Sequence, residues 1–374
     1  MTWGSGDRRA ERWPGELIVL TDFREWPDDV VRLFEAGADF QSSADWFSNF
    51  VRTVELGPAV PKVYVWREAG QAVAALPVLV LRDAAGCTVG SLGNYYTTRY
   101  APALAGEAAD PAGALTSLVA EILRREAPVH TLRFAALEAG SPAEFALRLA
   151  LGRNHCAVFA FHGFQNWLLP VRSGWLGYLA GRDGKLRTTL SRMGKRFAAR
   201  GGRLALVLGE AGLDEAIAAY ESVYAASWKS PEPHPRFMPG LIRAAARSGQ
   251  LRMGLAWLGD KPVAAQVWMV AGGRADIYKL AHDEAHKETS PGSLLTAMLM
   301  QHVFERDGVT LVDYLSGDDG YKRLWMSEVR ERRGLLAYNP RTARGLIGAA
   351  REALGRLVRP LIRRPTAPTV PAAP

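Results

Sequence analysis

The order of strand-like and helix-like segments predicts an α/β protein made of two similar halves, each a mixed sheet flanked by helices. A hairpin followed by a helix and a strand occurs twice, once on each side of a basic helix at 185–203. The length of 374 residues is long for one core and suits two domains or one double-sized unit. The expected division is 1–165, 166–340, and an appendix at 341–374. The halves share an order of elements, not detectable sequence identity.

In the first half, 62–66 and 71–81 flank Glu68-Ala-Gly70, the composition of a hairpin turn. Leu115, Leu118, Val119 and Ile122 give 112–125 a helical period. A strand is expected at 129–136, a helix at 142–151 with Ser141 as N-cap, and a strand at 155–161. In the second half, a strand at 204–208 precedes an amphipathic helix at 213–228. The Pro-interrupted run 229–237 is expected to be a substrate loop or a plain connector. Three strands follow at 251–258, 262–270 and 274–281, turning at Gly259-Asp260 and Gly272-Gly273. A helix at 292–307 and a strand at 311–315 complete the half.

Composition narrows the function classes. Charged residues at 22% and hydrophobic ones at 48% are ordinary for a globular protein. No apolar run approaches the roughly 18 residues of a spanning helix, and the first residues lack a signal-peptide pattern. Cys87 and Cys156 form no framework, so a cytoplasmic location is expected. The net charge of +8 is localised: 341–364 holds seven arginines against Glu352, leaving 39 basic and 37 acidic residues elsewhere. That is not the pattern of a nucleic-acid binder.

Ser290-Pro-Gly-Ser293 has the grammar of a helix start, with Ser as N-cap, Pro at the first helical position and Gly allowing close backbone approach. Free N–H groups at such a start suit a pyrophosphate. Gly317-Asp-Asp-Gly-Tyr-Lys322 sets two acids, a phenol and an ammonium just after a strand. These groups can act as base, acid and oxyanion clamp, though Asp-Asp-Gly is also an ordinary turn composition. His282-Asp-Glu-Ala-His286 lacks the Glu that a zincin carries directly after its first His, so no metal is expected. His282 and Tyr278 share one strand face, which either looks toward the acceptor or is a plain surface strand. Around Leu186, Leu190, Met193 and Phe197 lies a basic helix face that includes Arg187 and Lys195, either simply the wet side of a packed helix or suited to an anionic ligand or a membrane surface. Tyr220, Tyr224 and Trp228 form an aromatic stripe, either core or tunnel wall. In 341–364, Leu346, Leu354 and Leu357 share an apolar face flanked by arginines. Such a helix either docks on anionic membrane, each basic residue contributing about 1 kcal/mol, or packs on the second half. Pro360 should kink or end it.

Residues 170–338 resemble the BioF2-like and CelD-like acetyltransferase domain, related to GNAT and FemAB acyltransferases. The resemblance rests on the Ser-Pro-Gly at 290–292, the basic helix, Asp313, Asp318, Tyr321, Lys322 and Trp325. It implies two tandem GNAT-like halves with acyl-CoA as co-substrate, and acyl transfer to an amine or hydroxyl of a cell-envelope lipid, polysaccharide or related acceptor. The implied donor site holds Ser290, Gly292, Ser293, Arg187 and Lys195. In the implied catalytic site Asp318 or Asp313 is base or acceptor orienter, Lys322 oxyanion or phosphate stabiliser and Tyr321 proton donor to the thiolate, with His282 nearby. Two alternatives stay open: FemAB-like transfer from aminoacyl-tRNA, and a non-catalytic part in polysaccharide export.

Overall fold

A computed structural model describes residues 15–84, 86–106 and 110–362. The first half runs β1 (Glu16–Leu20), α1 (Asp28–Ala36), α2 (Ala44–Thr53), β2 (Val60–Glu68), β3 (Gln71–Asp83), β4 (Gly86–Ser91), β5 (Ala103–Leu104), α3 (Pro111–Arg125), β6 (Val129–Glu138), α4 (Pro142–Arg153) and β7 (Ala157–Pro170). After α5 (Trp175–Ala180) and α6 (Gly184–Ala199), the second half runs β8 (Gly202–Val207), α7 (Leu213–Ala225), α8 (Phe237–Arg247), β9 (Leu251–Leu258), β10 (Lys261–Ala271), β11 (Arg274–His282), α9 (Pro291–Glu305), β12 (Leu311–Ser316) and β13 (Glu328–Tyr338). The last helix is α10 (Ala343–Ile362).

The strands join in one sheet ordered β1-β2-β3-β4-β6-β13-β7-β12-β11-β10-β9-β8, with β5 beside β3. Followed inward from either edge, the pairings repeat. β1 to β4 and β8 to β11 pair antiparallel, β4/β6 and β11/β12 pair parallel, and an antiparallel partner closes each half. These are the two similar halves expected from the order of elements, each a mixed sheet flanked by helices. The parallel pairs need crossovers, and α3 and α9 supply them. The closing strands are exchanged: β7 follows the first half in sequence but lies against β12, while β13 follows β12 and lies against β6. The expected boundary at 165/166 therefore falls inside β7.

Local expectations met the structure in detail. At the β2/β3 hairpin, Ala69 and Gly70 both take positive φ (48° and 76°), as a two-residue primed turn requires. Ser141 accepts from Glu144 N–H at 3.1 Å and caps α4. The helix expected at 213–228 stops at Ala225, and Trp228 lies beyond it. Its aromatic stripe divides, with Tyr220 buried, Tyr224 half-buried and Trp228 52% exposed. β13 had no sequence signal: its first half, Glu-Val-Arg-Glu-Arg-Arg, is charged, yet Arg332 is buried between Glu138 and Asp313. α10 passes through Pro360 to Ile362. Arg363, Arg364 and the Pro/Ala-rich end lie outside the described residues.

Candidate active site between the halves

The site is opened by the parting of β11 and β12. These strands pair only at Arg274↔Leu311, Ala275↔Val312 and Asp276↔Asp313. The Asp313 carboxylate then accepts from Leu315 N–H at 2.7 Å, and Leu315 takes φ +56°, a left-handed conformation that a leucine rarely adopts. The strand bends there and a gap forms. Asp313 thus shapes the gap and does not line it. It is 1% exposed and takes hydrogen bonds from Asn166, Arg99 and Arg332. Burial and the Asp276 carboxylate push its carboxyl up. The expectation that Asp313 serves as base fails on this geometry.

Two cavities meet at the gap, sharing Leu280, Tyr314 and Tyr321. The first, about 300 Å³, is mostly apolar and lies against the start of α9; Gly292, Ser293, Thr296, His282, Trp228 and Lys185 line it. Ser290 sits before this helix with φ +51° and ψ +44°, and no side chain caps the start; Ser293 and Leu294 N–H bond Ser290 O at 3.1 and 3.2 Å, which leaves Gly292 N–H and the positive end of the helix for a ligand. The expected Ser cap is thus absent, because the left-handed turn carries the hydroxyl away. Gln266 holds the start in place, donating to Gly292 O and Thr296 Oγ1, both at 2.8 Å. Of the basic residues on α6, Lys185 faces this cavity, one helical turn before Thr189. Arg187 instead donates to Ala180 O, and Lys195 is exposed elsewhere on the helix. Both lie off the face that carries Lys185 and Thr189. The His282 ring rests 4.6 Å from that of Trp228, and burial lowers its pKa.

The second cavity, about 210 Å³, lies between the halves. Tyr95, Tyr96 and Thr98 come from the first half, and Lys229, Tyr278, Lys279, Asp319 and Lys322 from the second. Glu232 joins the two walls, accepting from Tyr95 and Tyr96 hydroxyls (2.6 and 2.7 Å) and from Lys279 Nζ (2.7 Å). Burial opposes its charge, but these hydrogen bonds hold its carboxyl at about 2. Lys229 forms no ion pair with the described residues, and burial, with Lys279 close by, lowers its pKa to about 8. Tyr278 and His282 share a strand but not a cavity: Tyr278 lines this one and donates to Tyr96 O at 2.8 Å.

The acid/Tyr/Lys cluster is rearranged relative to expectation. Asp318 lines neither cavity; it accepts from Trp167 Nε1 at 2.8 Å and lies 3.7 Å from Arg323. Asp319 takes the cavity position. Lys322 is 3% exposed, and its Nζ donates to Ser316 O (2.5 Å) and Gly317 O (3.2 Å), with Asp319 at 3.2 Å. Its three protons are therefore engaged, which makes it the tie that shapes this turn. Tyr321 is the group at the junction of both cavities. Its ring meets Tyr314 edge-on at 5.7 Å, and burial with Asp319 nearby pushes the phenol up to about 12. Tyr95, Tyr96, Lys229 and Glu232 were not singled out by sequence; the Pro-rich run 229–237 was the only pointer to two of them.

Residues 184–323 match the family described as acetyltransferase (GNAT) domain. This segment is a GNAT acetyltransferase domain. It contains α6, the uncapped start of α9 and the 316–323 turn. Among solved structures the chain is similar to FemX, with 12% identity and a TM-score of 0.59, over 92% of this chain and 99% of that one. It is also similar to L-PGS from Bacillus licheniformis (13%, 0.51, over 88% and 97%) and to a conserved protein of unknown function from Bacteroides thetaiotaomicron (12%, 0.53, over 83% and 96%). At these identities the likeness is one of fold, and it spans both halves rather than the GNAT domain alone. No curated protein matches the chain in sequence. Among the described residues no helix is long and apolar enough to cross a membrane.

Proposed function

We propose that this protein transfers an acyl group from acyl-CoA to an amine or hydroxyl of a polar, envelope-type acceptor. The observation that carries this reading is the meeting of two unlike cavities at Tyr321, one against an uncapped helix start and one walled by both halves. Gly292 and Ser293 would receive the pyrophosphate, with Lys185 beside them. When bound, the thioester supplies an activated carbonyl. The acceptor enters past Tyr95 and Tyr96, where Lys279, Glu232 and Asp319 offer hydrogen bonds to its polar groups. Lys229, with its lowered pKa, takes the proton from the attacking nitrogen or oxygen. Tyr321, protonated at neutral pH, gives its proton to the departing sulfur as the carbon–sulfur bond breaks. Lys322 positions this turn.

Calorimetry with coenzyme A and thiol release from acetyl-CoA test the reading. Tyr321→Phe should lower turnover about 100-fold while coenzyme A still binds with unchanged affinity. Unchanged turnover would remove Tyr321 from the chemistry. The pH profile of wild type should rise to a plateau above about pH 8, because the base works deprotonated, and this limb should vanish in Lys229→Met. If coenzyme A does not bind and a charged tRNA does, the donor is an aminoacyl-tRNA.

A further inference from the structure

α10 is packed the wrong way round for a soluble helix. Its small and polar side meets the sheet: Gly345 is buried against Asn339, and Gly348 sits against the Tyr338 ring. Arg356 pairs with Glu352 at 2.8 Å, donates to Ala160 O at 2.5 Å and stacks over Phe159 at 5.1 Å. At 100° per residue the opposite side collects Leu346, Ile347, Ala350, Leu354, Leu357 and Val358. Its five large side chains are 57%, 60%, 61%, 70% and 45% exposed, in the order Leu346, Ile347, Leu354, Leu357, Val358. This overturns packing of Leu346, Leu354 and Leu357 onto the second half. An apolar stripe of four turns in water is unusual for a monomer.

We infer that this outward face of α10 inserts into the headgroup boundary of an anionic lipid surface. Charge decides for lipid over a second copy of the chain. Arg341, Arg344 and Arg351 are exposed; Arg344 pairs with Asp83 at 3.2 Å, and by helical spacing Arg351 flanks the apolar stripe as a charge uncompensated among the described residues. The only acid of the helix, Glu352, is turned inward to Arg356. Self-association across this face would set arginine against arginine, whereas anionic headgroups complement it. The helix lies in the plane of the surface, with the rest of its length held by the sheet.

The test is co-sedimentation of the full chain with vesicles of equal parts phosphatidylglycerol and phosphatidylcholine, and with phosphatidylcholine alone. Binding to the anionic vesicles is expected at low salt, falling about tenfold or more between 50 and 500 mM salt. The pair Leu354→Glu, Leu357→Glu, both exposed and so harmless to the fold, should abolish it while the thermal midpoint holds. Equal binding to both vesicle types, or binding that survives the pair, would overturn the inference. So would absence of vesicle binding together with a dimer that the same pair dissolves, which would assign the face to a second copy.

Discussion

The helix that crosses over the parallel strand pair begins differently in the two halves. Asp110-Pro-Ala-Gly113 opens α3 and Ser290-Pro-Gly-Ser293 opens α9, each with Pro at the first turn. In the first half the Asp110 carboxylate accepts from Gly113 N–H at 2.8 Å, so the helix start already holds an anion of its own. In the second half no side chain occupies that place. Both halves part their parallel strands at a non-glycine residue of positive φ, Ala136 in β6 and Leu315 in β12. Yet the first-half cavity beside β6 has no described residue of α3 in its lining. One copy of the plan leaves its helix start uncapped beside a cavity; the other caps it and lends Tyr95 and Tyr96 to its neighbour.

This contrast can be broken at several points. The largest effect is expected at Arg99, buried among Asp39 (2.6 Å), Asp276 (2.5 Å) and Asp313 (3.4 Å) from both halves. Arg99→Met leaves these carboxylates uncompensated and should cost about 3–5 kcal/mol in urea unfolding; an unchanged midpoint would mean the halves are joined elsewhere. Next comes Gly292→Val, where an added Cβ meets only His282 Nδ1 at 3.9 Å. The fold should hold while coenzyme A affinity drops about tenfold or more, by blocking approach to the helix start. The counterpart, Asp110→Ala, should cost about 1 kcal/mol of stability and leave coenzyme A binding as it was. If both changes weaken binding alike, the two helix starts are not functionally distinct. The smallest effect concerns Glu232, whose folded pKa of about 2 lies below its ordinary 4.5. Its contribution to stability is present above pH 4.5 and lost as pH falls toward 2. Glu232→Gln should flatten that part of the melting-temperature profile, and a profile identical to wild type would remove Glu232 as the strap between halves.

The elements with clean periodicity were legible: the β2/β3 hairpin, the β9–β11 meander, α9 and β12 all stand where their patterns put them. What escaped has local causes. β13 begins with charge because its arginines find Glu138 and Asp313, partners roughly 190 and 20 residues away. The exchange of β7 and β13 leaves no mark on either strand's own pattern, since pairing across the sheet is not written in a short window. Within the site, the chain segment was legible and the side-chain directions were not. Asp318 and Asp319 are chemically the same, and only the turn after Leu315 decides which one faces the cavity. Arg187 and Lys195 belong to the right helix but the wrong face.

The exchanged strands also set the order in which this chain can be finished. β6 waits for a partner that lies at 328–338, so the first half leaves synthesis with an unpaired inner edge. β7, though made early, has no neighbour until β12 and β13 emerge. Contacts of such sequence separation form slowly, and neither half closes its sheet before the other is complete. Expressed alone, residues 184–323 would lack both closing strands, and the bare flank of β12 would present its unpaired backbone to other chains as an aggregation edge.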